Sequence, residues 1–312
     1  MQEKIGIGII GTGSIVRTYI QCIEELPNAY LVALFTATPE RKPALAETFD
    51  APIYSSLETF LELSDMQLVC VCNKSGRHGE ATIAAAKAGK HVLCEKPLEV
   101  TLEKVDAAIN ACNQNRVKLG TVFQNRCGAD FKKVHKTISE GSLGQLLMGN
   151  AHINWYRSLE YYAKNPWRGT LEWDGGAAFM NQGIHTIDLL LHLFGDVHSV
   201  YGTVKTRVHA IEGEDVGSGI IVFTNGAIGN ITAGTALYPG YPERLEVYGE
   251  KGSVLMEGGK IVAWNVPDVT PPKRKKKEER SGASDPTAIG FQNHKEVILD
   301  MLQAIDEDRP PM

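Results

Sequence analysis

Residues 4–16 read Lys-Ile-Gly-Ile-Gly-Ile-Ile-Gly-Thr-Gly-Ser-Ile-Val, and the change of character within this stretch decides the fold. Residues 4–10 are an apolar run of strand length. A glycine turn follows, and a helix is expected from about Ser14 to Glu25, stopped by Pro27. Strand, glycine turn and helix in that order are the setting a dinucleotide pyrophosphate needs. Gly11 permits the tight turn and Gly13 lets backbone approach the phosphates. The helix N-terminus adds N–H donors and the positive end of its dipole. Thr12, Ser14 and Ile15 complete the loop and are expected at the same ligand. Val16 takes the third position of the fingerprint, where a small residue is usual.

The second strand, Tyr30–Phe35, runs into Thr36-Ala37-Thr38-Pro39-Glu40-Arg41-Lys42. In an NAD site an acid at the end of this strand grips the ribose 2′-hydroxyl; here Thr36 stands in its place. Two readings stay open. Arg41 and Lys42 pair with a 2′-phosphate, or they are solvated residues opening the next helix. NAD and NADP are both admitted.

Residues 44–63 read as a helix and Gln67–Cys72 as a third buried strand, followed by the polar turn Asn73-Lys74-Ser75-Gly76-Arg77-His78. Ligands of open α/β sheets bind at such carboxyl ends, which makes Cys72, Asn73 and His78 candidate cofactor contacts. For His78 itself, capping or packing the helix at 79–88 is the preferred reading over catalysis. Gly89 closes that helix, and Lys90–Cys94 is the fourth strand, leading into Glu95-Lys96-Pro97. A lysine here would lie beside a nicotinamide bound across the sheet. Partial burial and a cationic ring lower the pKa of such a lysine, which suits it to accept a hydroxyl proton. A helix at 101–115 and a strand at Lys118–Phe123 complete a doubly wound parallel α/β domain over residues 1–121. Gln124 follows directly.

Residues 122–312 are expected to form an α+β domain with a mostly antiparallel sheet, its C-terminal segment able to pack back on the first domain. A helix at 128–140 precedes Leu146–Tyr156, a long alternating strand. Further strand-like stretches lie at 197–209, 216–223, 226–236, 244–249 and 253–257, separated by Gly, Pro and Asn turns. A helix expected over 175–194 carries Asn181, His185, Asp188 and His192 on one face, with apolar residues almost all round. Polar groups aligned on a buried helix are paired or functional. Asp188 and His192, deeper along it, read as a core network; Asn181 and His185, near the glycine-rich entrance, read as functional. The basic run at 271–280 is flanked by prolines and glutamates and reads as a solvated loop. Residues 285–309 have a helical pattern.

At 312 residues, two domains are the better expectation. A formal net charge of −5 argues against general affinity for nucleic acid or an anionic membrane. No apolar run approaches the roughly 20 residues of a membrane span. The N-terminus enters a strand at once, without a signal-peptide pattern. The six cysteines show no CxxC pair and no zinc-type spacing, so reduced core cysteines in a cytoplasmic protein are expected, with no metal.

Together, GIIGTGSI, AGKHVLCEKPL, the GG-x8-H-x-x-D pattern from Gly175, and LEVYGEKGSV at 245–254 resemble the glucose-fructose oxidoreductase / inositol dehydrogenase / rhizopine-catabolism (Gfo/Idh/MocA) family, from residue 4 to the end. The resemblance implies a Rossmann domain, an open-faced sheet domain and an NAD(P)-dependent dehydrogenase, with Lys96 central to catalysis and His185 exchanging the hydroxyl proton. Glu95 and Gln124 are implied among the cofactor contacts. Within the family, VFQNR (122–126), WYRSLEYY (155–162), WRGT (167–170) and MNQGIHTIDLL (180–190) look like UDP-N-acetylglucosaminuronate 3-dehydrogenases. Asn181 stands where inositol dehydrogenase-like members carry aspartate. An amide does not support a charged imidazole as a carboxylate does, which makes Lys96 the stronger proton acceptor.

Arg126, Tyr156, Arg157, Trp167 and Arg168 are expected around the substrate, since guanidinium forks suit carboxylate and phosphate. Asn73-Lys74 replace the usual Thr-Pro of the family; Lys74 either meets an anion or faces solvent. The expected reaction passes hydride between a secondary sugar hydroxyl, at carbon 3, and nicotinamide. A free-sugar or inositol dehydrogenase is the alternative, and a non-catalytic dinucleotide sensor is a rival from another class. The substrate partner is a small sugar or sugar nucleotide. An open sheet with a bare face implies a homodimer or homotetramer.

Overall fold

The computed structural model describes residues 4–271 and 291–312. The basic run lies, from residue 272 on, outside the described residues. The chain divides into two compact units: residues 1–124 with 291–312, and residues 125–290.

The first unit is built on β1 (Ile5–Ile10), whose six residues are all buried. After it come α1 (Val16–Glu24), β2 (Ala29–Phe35), a short 3₁₀ turn at Pro39–Arg41, α2 (Lys42–Thr48), β3 (Ile53–Tyr54), α3 (Leu57–Leu61) and β4 (Leu68–Val71). A 3₁₀ turn at Ser75–Arg77, α4 (His78–Lys87), β5 (His91–Cys94), α5 (Leu102–Gln114) and β6 (Leu119–Thr121) complete the succession. The strands form one parallel sheet in the order β3-β2-β1-β4-β5-β6. That order reverses direction between β1 and β4, the switch point at which open α/β sheets bind ligands.

The single helix expected over 44–63 is two helices and a strand. Pro52 supplies no N–H and pushes Ala51 out of helical geometry. Phe49 already turns extended, at φ −126 and ψ 128. Ile53 and Tyr54 then pair with Leu34 and Phe35, adding a sixth strand at the edge.

The second unit contains α6 (Ala129–Ser139), β7 (Leu146–Asn154), α7 (Leu159–Ala163), a π-helical turn at Ala178–Gly183 and α8 (Ile184–Phe194). Strands β8 (Val197–Lys205), β9 (Val216–Phe223), β10 (Ile228–Gly234), β11 (Arg244–Gly249), β12 (Ser253–Glu257) and β13 (Lys260–Asn265) follow. They form a seven-stranded sheet ordered β13-β12-β11-β7-β10-β9-β8. Every pairing is antiparallel except β10 with β7. The inner face, including Ile153, Ile221, Val247 and Met256, packs on Leu190, Leu193 and Phe194 of α8. The opposite face carries a row of hydrogen-bonded polar side chains: Asn230 donates to Asn150, Asn150 to Glu246, and Tyr248 to Glu246. Beside that row Tyr201, Ile220 and Ile228 are exposed.

The last helix, α9 (Gln292–Asp306), belongs to the first unit. Lys295 pairs with Glu25 at 2.7 Å, and the ring of His294 meets that of Tyr19 edge-on.

Candidate active site

In the first unit the turns after β1, β2, β4 and β5 share the carboxyl edge of the sheet, because these strands are parallel. Gly11 sits at φ +119, and a Cβ added there would lie 2.5 Å from the Cys72 carbonyl oxygen. Only glycine lets the first turn lie against the turn after β4. Gly13 differs: nothing stands within 4 Å of its added Cβ, so its backbone faces open space. A cradle closed at Gly11 and open at Gly13, at the start of α1, fits a pyrophosphate. Val16, at the third fingerprint position, is fully buried. Thr12 offers its carbonyl to Arg41 Nη2 at 3.4 Å. Ser14 is exposed and Ile15 half-buried at the helix start. Thr36 is buried, and its hydroxyl accepts the Thr38 N–H at 3.2 Å.

His78 is enclosed at 1% exposure. Its Nδ1 lies 2.6 Å from the Pro97 carbonyl and its Nε2 lies 3.2 Å from that of Asn73. Burial lowers its pKa, which disfavours the doubly protonated ring. The imidazole thereby couples the Asn73 turn to the residue after Lys96. Asn73 is held in turn, its Nδ2 donating to the Arg77 carbonyl at 3.3 Å.

Glu95 points inward. Its Oε1 accepts the Tyr19 hydroxyl at 2.9 Å, with His294 Nε2 3.9 Å away, and its Oε2 lies 3.3 Å from the Lys96 N–H. Lys96 is half-buried. Gln124, buried at 4% exposure, opens the 3₁₀ turn Gln124–Cys127 after β6.

Cys72 and the other five cysteines are buried free thiols. Burial holds the Cys72 thiol well above its ordinary pKa, and pushes those of Cys22 and Cys112 up to about 11. Thiolate chemistry at neutral pH is therefore disfavoured at these positions. No group of three or more His, Cys, Asp or Glu side chains able to hold a metal occurs among the described residues.

The second unit gathers a different constellation. The helix expected over 175–194 begins as a π turn, in which the N–H groups of Asn181 and Gln182 both reach the Ala177 carbonyl. Glu214 explains its start. One carboxylate oxygen accepts the N–H groups of Ala177 and Phe179 at 3.3 and 2.7 Å, and the Glu214 carbonyl accepts that of Ala178. The extra residue in this turn means that Asn181 does not share a simple helical face with His185 and Asp188. Single π turns of this kind recur at functional sites.

Asn181 Nδ2 donates to Asp174, a carboxylate only 2% exposed, whose other oxygen accepts the Gly169 N–H at 2.9 Å. Gln182 Nε2 reaches both the Asn181 amide oxygen and the Tyr161 hydroxyl, at 2.9 and 3.0 Å. Gln182 Oε1 accepts from Arg157 Nη2 at 2.7 Å. Arg157 is only 3% exposed and lies over the rings of Trp155 and Tyr161. Its guanidinium donates to Gln182 and to the Tyr156 carbonyl, so it orients this network from inside.

Arg168, half-buried, stacks over Tyr161 at 4.1 Å, with the Trp167 ring 5.8 Å away. Tyr156 meets the exposed ring of Tyr238 edge-on at 5.3 Å. Arg126 forms a two-pronged pair with Asp188, at 2.8 and 2.5 Å, while His192 stacks on His135. Asp188 is thus buried and paired, whereas His192 is exposed and stacks at the surface, which corrects the core network expected for it. Asn181 and His185 are both half-buried. Asp174, Gln182, Tyr161 and Glu214 were not singled out from sequence. Tyr161 and Gln182 lie within the family-like stretches 155–162 and 180–190, and no local pattern marks Asp174 or Glu214.

A parallel Rossmann sheet whose first strand ends in a glycine turn, followed by a unit built on a mixed sheet, is the architecture of a dinucleotide-dependent oxidoreductase. Residues 5–123 match the oxidoreductase family with an NAD-binding Rossmann fold, and residues 131–255 match the GFO/IDH/MocA C-terminal domain. The chain belongs to the GFO/IDH/MocA oxidoreductase family.

Among solved structures it is similar to the WlbA dehydrogenase of Bordetella pertussis in complex with NADH and UDP-GlcNAcA. The two share 31% identity at a TM-score of 0.87, covering 99% of this chain and 90% of that one. Among curated proteins it is 29% identical over 259 residues to the myo-inositol 2-dehydrogenase of Thermotoga maritima, covering 80% of this chain and 75% of the relative. It is likewise 29% identical over 258 residues to the scyllo-inositol 2-dehydrogenase (NADP(+)) of Bacillus subtilis, covering 82% and 70%. No helix among the described residues is long and apolar enough to cross a membrane.

Proposed function

We propose that the protein oxidises a secondary hydroxyl of a uronic-acid sugar nucleotide, at carbon 3 of the sugar. The observation that carries this reading is the whole-chain likeness to a dehydrogenase held with NADH and UDP-GlcNAcA. Asn181, in place of an aspartate, and the cationic and aromatic surroundings of Arg168 support it.

Gly11, Thr12, Gly13, Ser14 and Ile15 hold the pyrophosphate, and the turns at Cys72–Asn73, Glu95–Lys96 and Gln124 hold the nicotinamide end. A bound nicotinamide supplies the hydride acceptor. Lys96 takes the hydroxyl proton at Nζ, and His185 assists or relays it. Asn181, oriented by Asp174 and Gln182, hydrogen-bonds the sugar. Arg168, Trp167 and Tyr156 receive its anionic and aromatic parts, while Arg157 and Arg126 hold the frame. The polar and partly apolar outer face of the second sheet is covered by a further copy of the chain, giving a dimer or tetramer.

The likeness to myo-inositol 2-dehydrogenase favours a second reading, oxidation of a free polyol. A panel of UDP-N-acetylglucosaminuronate, UDP-N-acetylglucosamine, myo-inositol and scyllo-inositol, each followed by nicotinamide reduction, separates the two. Turnover confined to the acidic sugar nucleotide is expected. Faster turnover of an inositol would replace the first reading by the second, and dinucleotide binding without turnover of any sugar would favour a sensor.

A further inference from the structure

We infer that the adenosine end of the dinucleotide pocket is built to receive a 2′-phosphate, so that NADP(H) binds in preference to NAD(H). This rests on the dinucleotide reading of the glycine turn, but on nothing about the sugar.

Three features at the end of β2 carry it. First, the position from which a carboxylate would grip a ribose 2′-hydroxyl, and repel a phosphate there, is Thr36. Second, that threonine is committed to its own turn. It is 2% exposed, its N–H is held by the Tyr54 carbonyl at 2.9 Å, and its hydroxyl accepts the Thr38 N–H at 3.2 Å. The strand that sequence reading missed, β3, supplies Tyr54 and thereby fixes this geometry. Third, the 3₁₀ turn Pro39–Arg41 carries Arg41 back toward the glycine loop, where its Nη2 lies 3.4 Å from the Thr12 carbonyl.

A guanidinium is thus placed over the residue between the two fingerprint glycines, on the side of the neighbouring strand where the adenosine ribose lies in this class of fold. Its planar fork is suited to a phosphate, and its exposed setting leaves room for one. Lys42 follows at the start of α2, and Arg17, in the first turn of α1, lies over the ring of Phe49 beyond the end of α2. Against these stands Glu40, which shares the 3₁₀ turn with Arg41. Among the three side chains at 40–42 the balance is one acid against two bases.

The test is equilibrium binding of NADPH and NADH to the full chain, read by nicotinamide fluorescence at fixed ionic strength, for wild type, Arg41→Ala and Thr36→Asp. Wild type is expected to bind NADPH tighter by about tenfold or more, the scale of one charge-assisted pair. Arg41→Ala should remove most of that advantage while leaving NADH affinity nearly unchanged. Thr36→Asp should reverse the order.

Equal or tighter binding of NADH by wild type overturns the inference. So does an Arg41→Ala loss shared equally by both dinucleotides, which would make Arg41 a brace for the loop. Arg41 is exposed, so its variant remains informative even if Thr36→Asp fails to fold. Sugar turnover with NAD alone would sink this inference and leave the proposed reaction standing. NADPH preference without turnover of any sugar would do the reverse.

Discussion

The two units reach their candidate sites by opposite means. In the first, the ligand cradle is made of backbone: parallel strand ends, a glycine at φ +119 packed on the Cys72 carbonyl, and a helix N-terminus. In the second, the site is made of side chains joined end to end, from Arg157 through Gln182 and Asn181 to Asp174. Backbone sites are constrained by sterics that few residues satisfy. Side-chain networks are constrained by partners that lie far apart in the chain. Loss of a backbone feature should therefore abolish binding, whereas loss of one network member should tune turnover.

The largest effect is expected at the group proposed to do chemistry. Lys96→Ala should lower turnover by roughly 10²–10⁴-fold while dinucleotide affinity stays near wild type, as measured by steady-state rates and fluorescence titration. A variant that keeps its rate would remove the lysine from proton transfer.

Gly11→Ala comes next. The added methyl meets the Cys72 carbonyl oxygen, in a backbone conformation that L side chains rarely adopt. A stability loss of about 1–3 kcal/mol is expected, with loss of dinucleotide binding, from chemical denaturation and titration. Unchanged binding would mean that the turn does not cradle the ligand.

Asp174→Asn probes the network. Its amide group can serve only one of the two donors that the carboxylate accepts, Gly169 N–H and Asn181 Nδ2. A buried donor left unmatched costs about 1–3 kcal/mol. Sugar turnover should drop by roughly tenfold with dinucleotide affinity unchanged. An equal loss of both would make Asp174 a general stabiliser of the fold.

The smallest effect concerns pH. Burial lowers His78, His91 and His294 of the first unit below the ordinary histidine value of 6.5. In the second unit His192 is lowered as well, by burial and by Arg126 and His135. In the unfolded chain such imidazoles take up protons from about pH 6.5 downward, while the folded ones resist. Their stabilisation is therefore full above that value and is lost as pH falls. Glu243, raised by burial, works in the opposite sense in the second unit. Hydrogen exchange stepped from pH 7 to pH 5 should show protection falling first in β1, β4 and β5. Earlier loss in β7 and β10 would contradict this order.

What could be read in the sequence divides along the same line. The run at 4–16, the strands at 67–72 and 90–94 and the turn at Glu95-Lys96-Pro97 announce a Rossmann unit, because apolar runs and glycines record local geometry. The edge strand at Ile53–Tyr54 is only two residues long, too short for periodicity to register, and β13 at Lys260–Asn265 escaped notice as well. The π turn escaped because its cause, Glu214, lies more than thirty residues downstream. Arg157 looks in sequence like any cation available to an anion. Only packing reveals that it is enclosed between Trp155 and Tyr161 and bound to Gln182. The inward turn of Glu95 toward Tyr19 and His294 is equally a tertiary fact, since His294 enters the first unit from the far end of the chain.

The most direct test of the proposed chemistry uses UDP-N-acetylglucosaminuronate carrying deuterium at carbon 3. The purified protein is mixed with it and an oxidised dinucleotide, and the nicotinamide is examined by mass spectrometry. The expected result is deuterium in the reduced nicotinamide, with a 3-keto sugar formed in equal amount and both lost in Lys96→Ala. Reduced nicotinamide without deuterium would refute hydride transfer from carbon 3. No reduction, with dinucleotide demonstrably bound, would refute the sugar-nucleotide reaction.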